Sequence, residues 1–321
     1  MRVVVFGSLN LDTSFDVDHR PAWGETILAS AASIAPGGKG ANQAVAAARS
    51  GRVPVVMVGR VGADAAGPYL REQLAAAGVA DAVRVDPALP SGTAFILRSA
   101  EGSNAIVVAA GANAGVRIDD LDELRPVDEP AVLVMQLEIP VHAVIAAAGL
   151  GRERGWHVLL NTAPAQALPD ALLGTIDTLV ANEVEAAQLT GLAVDGVEGA
   201  TAAAEAIRSM GPGRVAVTLG AVGAVLVTPD GAWHAPAPAV RVVDTTASGD
   251  AFVGCLAASL AEGCHDRVAI ARSVAAGSLA ATLPGAQPSL PDRPAIDILA
   301  SQVDVRGVAL DADVAPGGSA R

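Results

Sequence analysis

Short β-branched runs recur along this chain, and alanine-rich stretches with helical spacing follow most of them. The runs are VVVFG, VPVVMVG, AVLVMQ, HVLLN, TLVAN and RVAVTLG; the stretches include GANQAVAAARSG, PYLREQLAAAG, VHAVIAAAGLGRERG, EVEAAQLTG and GATAAAEAIRSMG. A run that is apolar throughout, rather than at every second residue, reads as a strand buried on both faces. Such strands alternating with helices predict an α/β fold, a mostly parallel central sheet covered by helices on both faces. Of the 321 residues 51% are hydrophobic but only 2% aromatic, so alanine and glycine carry the apolar content. Helices are therefore expected to pack close to the sheet, with few bulky anchors.

Two segments break the alternation. Residues 12–34 and 91–110 read as short alternating strands, the second with a turn at AEGS, Ala100 to Ser103. They predict a small accessory β sheet, a lid. From Asp304 onward the chain is rich in Asp, Gly and Ala and has no period. A single domain over 1–303 and a poorly ordered tail over 304–321 are expected.

Charge and motif content exclude several classes. The formal net charge of -13 argues against nucleic acid or an anionic membrane as partner, and it requires any anionic ligand to meet a locally positive site. The two cysteines, Cys255 and Cys264, read as lying on one helix on roughly opposite faces, which argues against a bridge. Reduced thiols and an N-terminus with too short an apolar run for a signal peptide predict a cytoplasmic protein. No uncharged apolar run reaches the ~18 residues of a spanning helix. The P-loop, the dinucleotide fingerprint, the G-x-S-x-G elbow and any histidine metal spacing are absent from the sequence.

Polar residues gather where the strands end: Asn10 and Asp12 after VVVFGSL, Gln136 and Glu138 after AVLVM, Asn161, Asn182 and Thr218. In open parallel sheets ligands bind outside the carboxyl ends of the strands. In VDTTASGDAFVG, a helix starting near Gly249-Asp250 would present free amides to an anion, and a carboxylate in its first turn could act as a general base. Ordinary helix capping would use the same residues. In PGGKGANQAVAAARSG the glycines suggest close backbone approach to a ligand, with Lys39 and Asn42 offering hydrogen bonds; a turn and N-cap is the other reading. NEVE, Asn182 to Glu185, is capping-box-like, or else an amide and a carboxylate beside a metal–nucleotide complex.

Taken together, GSLNLD, GGKGANQAVAAARSG, MQLEIP, NTAPAQALPDALL, NEVEAAQLTG, TLGAVGA, VDTTASGD and GAQPSLP resemble the ribokinase-like family of carbohydrate kinases, in order and spacing, over residues 7 to about 291. The resemblance implies a three-layer sandwich with a β lid, and ATP-dependent phosphorylation of D-ribose at its 5-hydroxyl. It implies sugar contacts at Asn10, Asp12, Gly38, Lys39, Gly40, Ala41, Asn42 and Glu138. Asp250 matches the general base, and the amides of Ala247, Ser248 and Gly249 match the anion hole. ATP would lie against Asn182, Thr218, Leu219, Gly220, Ala221, Val222, Gly223 and Gly249, with Glu185 organising Mg2+. A monovalent cation, K+, would be held by Asp244 and Thr246 with groups around Ala280, Leu283, Gly285 and Ser289; Leu283 and Pro284 replace residues that are often charged in the family. A homodimer pairing through the lid is also implied. Kinases of the same fold acting on 2-deoxyribose, adenosine or fructose, a silent sugar-binding protein, and a nicotinamide-dependent oxidoreductase are the competing readings.

Overall fold

The computed structural model describes residues 1–99, 104–124 and 129–310. In chain order the strands are β1 (Arg2–Phe6), β2 (Asn10–Val17), β3 (Ala31–Gly37), β4 (Val55–Gly62), β5 (Ala80–Asp86), β6 (Gly92–Ser99), β7 (Asn104–Ala109), β8 (Ala131–Met135), β9 (His157–Asn161), β10 (Thr178–Asn182), β11 (Arg214–Thr218), β12 (Ala224–Thr228), β13 (Gly231–Ala235) and β14 (Arg306–Val308). The helices are α1 (Lys39–Ser50), α2 (Ala66–Ala76), α3 (Val141–Glu153), α4 (Asp170–Leu173), α5 (Glu183–Thr190), α6 (Gly196–Ser209), α7 (Ser248–Ala261), α8 (Asp266–Ala280) and α9 (Arg293–Ala300).

A ten-stranded sheet runs β14-β13-β12-β11-β10-β9-β8-β1-β4-β5. Its strands from β11 to β5 pair in parallel, and β12, β13 and β14 add an antiparallel edge. The unbroken apolar runs are explained by two cores. Val3 and Val5 of β1 face one core with residues of α1, α2, α7, α8 and α9; Val4 and Phe6 face the other with residues of α3, α4, α5 and α6. None of the described helices is long and apolar enough to cross a membrane.

The lid is a separate four-stranded sheet, β3-β2-β6-β7. Strand alternation gives it two unlike faces. Asp12, Ser14 and Asp16 of β2 look into a cavity. On the opposite face, Thr13 pairs with Ile34 and Phe95, and Phe95 with Val107, which forms a row whose apolar members are exposed. The turn expected at 100–103 lies outside the described residues.

Three expectations are corrected. Asn10 and Asp12 do not end β1, which stops at Phe6; they open the lid strand β2. The boundary drawn at 303 falls too early, because Arg306–Val308 pair with the open edge of β13. A three-residue edge strand is held by backbone bonds and is too short to show a side-chain period; residues 311–321 lie outside the description. Cys264 is not on the helix of Cys255, since α7 ends at Ala261; both thiols are free.

Small residues set the distance between α1 and α7. A Cβ on Gly254 would lie 2.5 Å from Ala46 Cβ, 2.6 Å from the Gln43 carbonyl oxygen and 2.8 Å from the Ala47 nitrogen. Helix propensity alone would favour Gly254→Ala by about 1 kcal/mol. Two of the three contacts are with backbone, so the helices must separate, at about 1–3 kcal/mol. We expect Gly254→Ala to lower the urea midpoint at unchanged m-value, and to lower activity by moving the first turn of α1 away from α7.

Candidate active site

The chain leaves β1 toward β4 on one side of the sheet, while β8 leads to β9 on the other. Between β1 and β8 lies the switch point where a crevice opens at the carboxyl ends of the strands. The segments after both strands meet there. Ser8 Oγ donates to Glu138 Oε2 at 2.6 Å, the Lys39 amide donates to the same oxygen at 3.0 Å, and the Gly40 amide donates to Ser8 Oγ at 3.2 Å. The glycines make this approach between chain segments possible. A Cβ on Gly40 would lie 2.5 Å from the Ser8 nitrogen, and one on Gly38, at φ 87°, 2.8 Å from the Asn10 nitrogen. Ala41 is buried, and its amide donates to the Ser8 carbonyl. Asn113 completes this corner: its Oδ1 accepts from the Leu9 amide at 2.9 Å, and its Nδ2 donates to Asn10 Oδ1 at 2.7 Å.

The helix of the Thr-Ala-Ser-Gly-Asp stretch starts at Ser248, and Ala247 precedes it at φ 59°. Among the described residues Ala247 is the one non-glycine with positive φ, a conformation that costs about 1–2 kcal/mol. Strain of this kind tends to be kept at functional sites. The Ser248 amide donates to the Thr245 carbonyl at 3.2 Å. The amides of Gly249 and Asp250 stand in the first turn, where no helical carbonyl precedes them. A Cβ on Gly249 would meet nothing within 4 Å.

Asp250 is buried and bracketed by α1. Asn42 Nδ2 donates to its Oδ2 at 3.0 Å and Gln43 Nε2 to its Oδ1 at 2.9 Å. Burial pushes the Asp250 carboxyl above the ordinary range, against the opposing pull of Lys39, Asn42 and Gln43. Burial, with Glu138 and Asp250 nearby, raises Asp12 to about 7. Burial disfavours the Lys39 ammonium, but Asp250, Glu138, Glu185 and Asp12 outweigh it and hold the group above its usual value. Two acceptor oxygens, Asp12 Oδ1 and Asn42 Oδ1, are buried without a hydrogen-bond partner.

Three cavities meet at this point. One of about 490 Å³ has apolar walls from Ala237 to Val242, Phe252 and Val274. A polar one of about 210 Å³ is lined by Lys39, Asn182, Glu185, Ala247, Gly249 and Asp250. The third, about 730 Å³, lies under the lid against Asp12 and the Asp244–Thr246 segment. Thr245 borders all three, and Gly249 the first two.

Most of the sequence-derived residues converge here, with qualifications. Asn182 and Glu185 do form a capping box at α5, and they also line the polar cavity. Register places Asn182 beside Thr218. Thr218, Gly220, Ala221 and Gly223 line the large apolar cavity, whereas Leu219 is buried in the core and Val222 does not border the cavity. Asp244 ties two segments together: Oδ1 accepts from the amide and hydroxyl of Thr246, and Oδ2 from the Gly285 amide at 2.9 Å. Ala280 and Ser289 are buried close by in sequence, and Leu283 is exposed. Ser8, Gln43 and Asn113 were missed. Ser8 and Gln43 stand inside motifs already singled out, but no local signal marks Asn113.

A bracketed carboxylate at the meeting of an apolar cavity, an anion-lined chamber and a pocket with unpartnered acceptors is suited to moving a group between two bound small molecules. That layout suits an enzyme that transfers a group between small molecules. Comparisons with known proteins agree. Residues 1–293 match the pfkB family carbohydrate kinase profile. The ribokinase of Staphylococcus aureus is 35% identical over 295 residues, covering 90% of this chain and 96% of that protein. A deoxyribokinase of Salmonella typhi is 35% identical over 294 residues, with coverage of 91% and 96%. The structure of Arabidopsis thaliana ribokinase complexed with ribose and ATP superposes with a TM-score of 0.85 at 34% identity, covering 93% of this chain and 98% of that one. The chain belongs to the pfkB family and is a carbohydrate kinase.

Proposed function

We propose that the chain transfers the γ-phosphoryl group of ATP to the 5-hydroxyl of D-ribose. The observation that carries the sugar side is the pair of buried, unpartnered acceptors, Asp12 Oδ1 and Asn42 Oδ1, close to a bracketed Asp250. A buried acceptor without a donor is costly, and a polyhydroxy ligand supplies donors. Asn10, Lys39 and Glu138 complete the contacts. ATP places its base in the apolar cavity and its phosphates in the polar chamber. Asp250 takes the hydroxyl proton as the oxygen attacks the γ-phosphorus and the bond to the β-phosphate oxygen breaks. The amides of Ala247, Ser248 and Gly249 face the equatorial oxygens; that of Ser248 must leave the Thr245 carbonyl to take part.

The chamber is lined by Lys39 against Glu185 and Asp250, with Glu138 and Asp12 also acting on the lysine, and is poor in positive charge for an anionic substrate. Mg2+ fits that deficit: Glu185 with Asn182 suits an ion that takes one or two carboxylates and keeps waters and phosphates as its other ligands. When bound, it neutralises phosphate charge. K+ would be held by Asp244 and Thr246 with groups around Ala280, Leu283, Gly285 and Ser289, and the bonds that join Asp244 to Thr246 and to the Gly285 amide support that reading. The exposed apolar row of the lid supports pairing with a second copy.

Phosphorylation of 2-deoxyribose is the second reading, supported by the deoxyribokinase relative. The test is ADP release from MgATP with D-ribose, 2-deoxyribose, adenosine or fructose, in potassium and in sodium buffer, on protein whose solution mass has been measured. The expected result is ribose-dependent ADP, higher in potassium, from a dimer. Faster turnover of 2-deoxyribose would move the substrate. No ADP with any acceptor would remove the proposed reaction.

A further inference from the structure

Gln43 and Gln136 are fully buried, and neither borders any of the three cavities. Their hydrogen bonds have one direction. The Val180 carbonyl on β10 can only accept, so it takes Asn161 Nδ2 at 3.2 Å, and Asn161 Oδ1 turns to Gln43. Gln43 must then present Nε2, whose two protons go to Asn161 Oδ1 at 3.0 Å and Asp250 Oδ1 at 2.9 Å. Its Oε1 is left for Gln136 Nε2 at 2.7 Å. Turning the Gln43 amide over would set its oxygen against the Asp250 carboxylate and its Nε2 against Gln136 Nε2, and turning Gln136 over would set its Oε1 against Gln43 Oε1.

We infer that Gln43 is a positioning residue for phosphoryl transfer: anchored through Asn161 and Gln136, it fixes the plane of the Asp250 carboxylate so that a set lone pair faces the acceptor hydroxyl. The anchorage is to the sheet. β9 supplies Asn161, β10 supplies Val180, and the segment after β8 supplies Gln136. Asn42 alone, held by the side of Asp250 that carries Oδ2, would leave the carboxylate free to rotate about that contact. The cost of keeping this relay is visible in Gln136 Oε1, which is buried with no partner. The inference rests on Asp250 being the base.

Gln43→Met keeps length and apolar packing but removes the donors. With D-ribose and MgATP we expect kcat to fall about 10- to 100-fold, the scale for a misplaced reacting group, with KM for either substrate nearly unchanged. Loss of a donor to the carboxylate disfavours its ionised form, so the acid limb of kcat/KM should move up by about one pH unit. Lys39 and Asn42 on α1, Glu138 after β8, Asn161 on β9 and Asp12 on β2 also face this region and are the same in both proteins. Gln136→Met should act in the same direction but less. The double variant should be no worse than Gln43→Met, because both act through one chain of contacts. A lower melting temperature with wild-type kcat and pH profile would overturn the inference and leave Gln43 structural. Should Gln43→Met not fold, an unshifted acid limb in Gln136→Met would overturn it equally. Inactive Asp250→Asn alongside a kinetically normal Gln43→Met removes only this inference; active Asp250→Asn removes the base itself.

Discussion

Asp250→Asn is expected to lower kcat by about 10²–10⁴-fold, the contribution of a positioned general base, while the protein folds with little change in stability. Two effects on stability oppose each other. Against Gln43 Nε2 the asparagine's Nδ2 would set a donor against a donor, at about 1–3 kcal/mol, and against Asn42 it requires that amide, whose Oδ1 has no partner, to turn over. In return the variant no longer ionises a buried carboxyl whose folded-state pKa burial has raised. Such a group makes the folded state lose stability as pH climbs from the ordinary carboxylate range toward the raised value, so its removal helps most above that raised value. Single-turnover measurements with ribose and ATP, together with thermal melts at two pH values, check both halves. Turnover within a few-fold of wild type would discard Asp250 as base.

Asp12→Asn should weaken sugar binding and stabilise the free protein at once. Asp12 lies on the cavity face of β2, with one oxygen unpartnered and its folded-state pKa raised from 3.8 to about 7 by burial, Glu138 and Asp250. A hydrogen bond to a charged acceptor contributes about 1.5–3 kcal/mol, so its loss should raise KM for ribose roughly 10- to 100-fold with a smaller change in kcat. The stability effect has the opposite sign. Between pH 3.8 and about 7 the unfolded chain has given up a proton that the folded protein keeps, so wild-type stability falls across that interval and is flat above it. The variant escapes this loss. Its advantage should be small near pH 4, grow through pH 7 and level off at an amount on the order of 2–4 kcal/mol. Melting curves of both proteins without ligand, from pH 4.5 to 9, test this; parallel curves would mean that Asp12 ionises freely. An acid kept in a place where it destabilises the empty protein is consistent with a binding role.

The parts of the site that are legible from residues alone are those whose chemistry is local. A glycine before an acid at a helix start marks Gly249 and Asp250, and an Asn with Glu three residues on marks the start of α5. Neither depends on anything far along the chain. The capping box shows the limit of such reasoning, because Asn182 and Glu185 cap a helix and line the chamber with the same atoms. The glycines of residues 37–40 are legible as close approach, but not what approaches them: Asp12 at Gly37, and Ser8 and Asn10 at Gly38 and Gly40, on the stretch that runs from the end of β1 into β2. Asn113 meets Leu9 and Asn10 across more than 100 positions, and Gln43 meets Asp250 across 207.

Buried runs of β-branched residues alternating with alanine-rich helices are enough to specify a helix-covered parallel sheet, because strand burial and helix amphipathicity are written over windows of five to fifteen residues. Alternation along 12–34 and 91–110 likewise marks a second, half-exposed sheet. The strand order belongs to the folded chain, as do the crevice between β1 and β8, the bracketing of Asp250 by α1 and the assignment of Asn10 and Asp12 to the lid. These depend on which surfaces pack against which, and contacts between residues far apart in sequence carry no periodic trace in the sequence between them. The fold supplies them by closing the distance between α1 and α7 to what Gly254 and Ala46 allow.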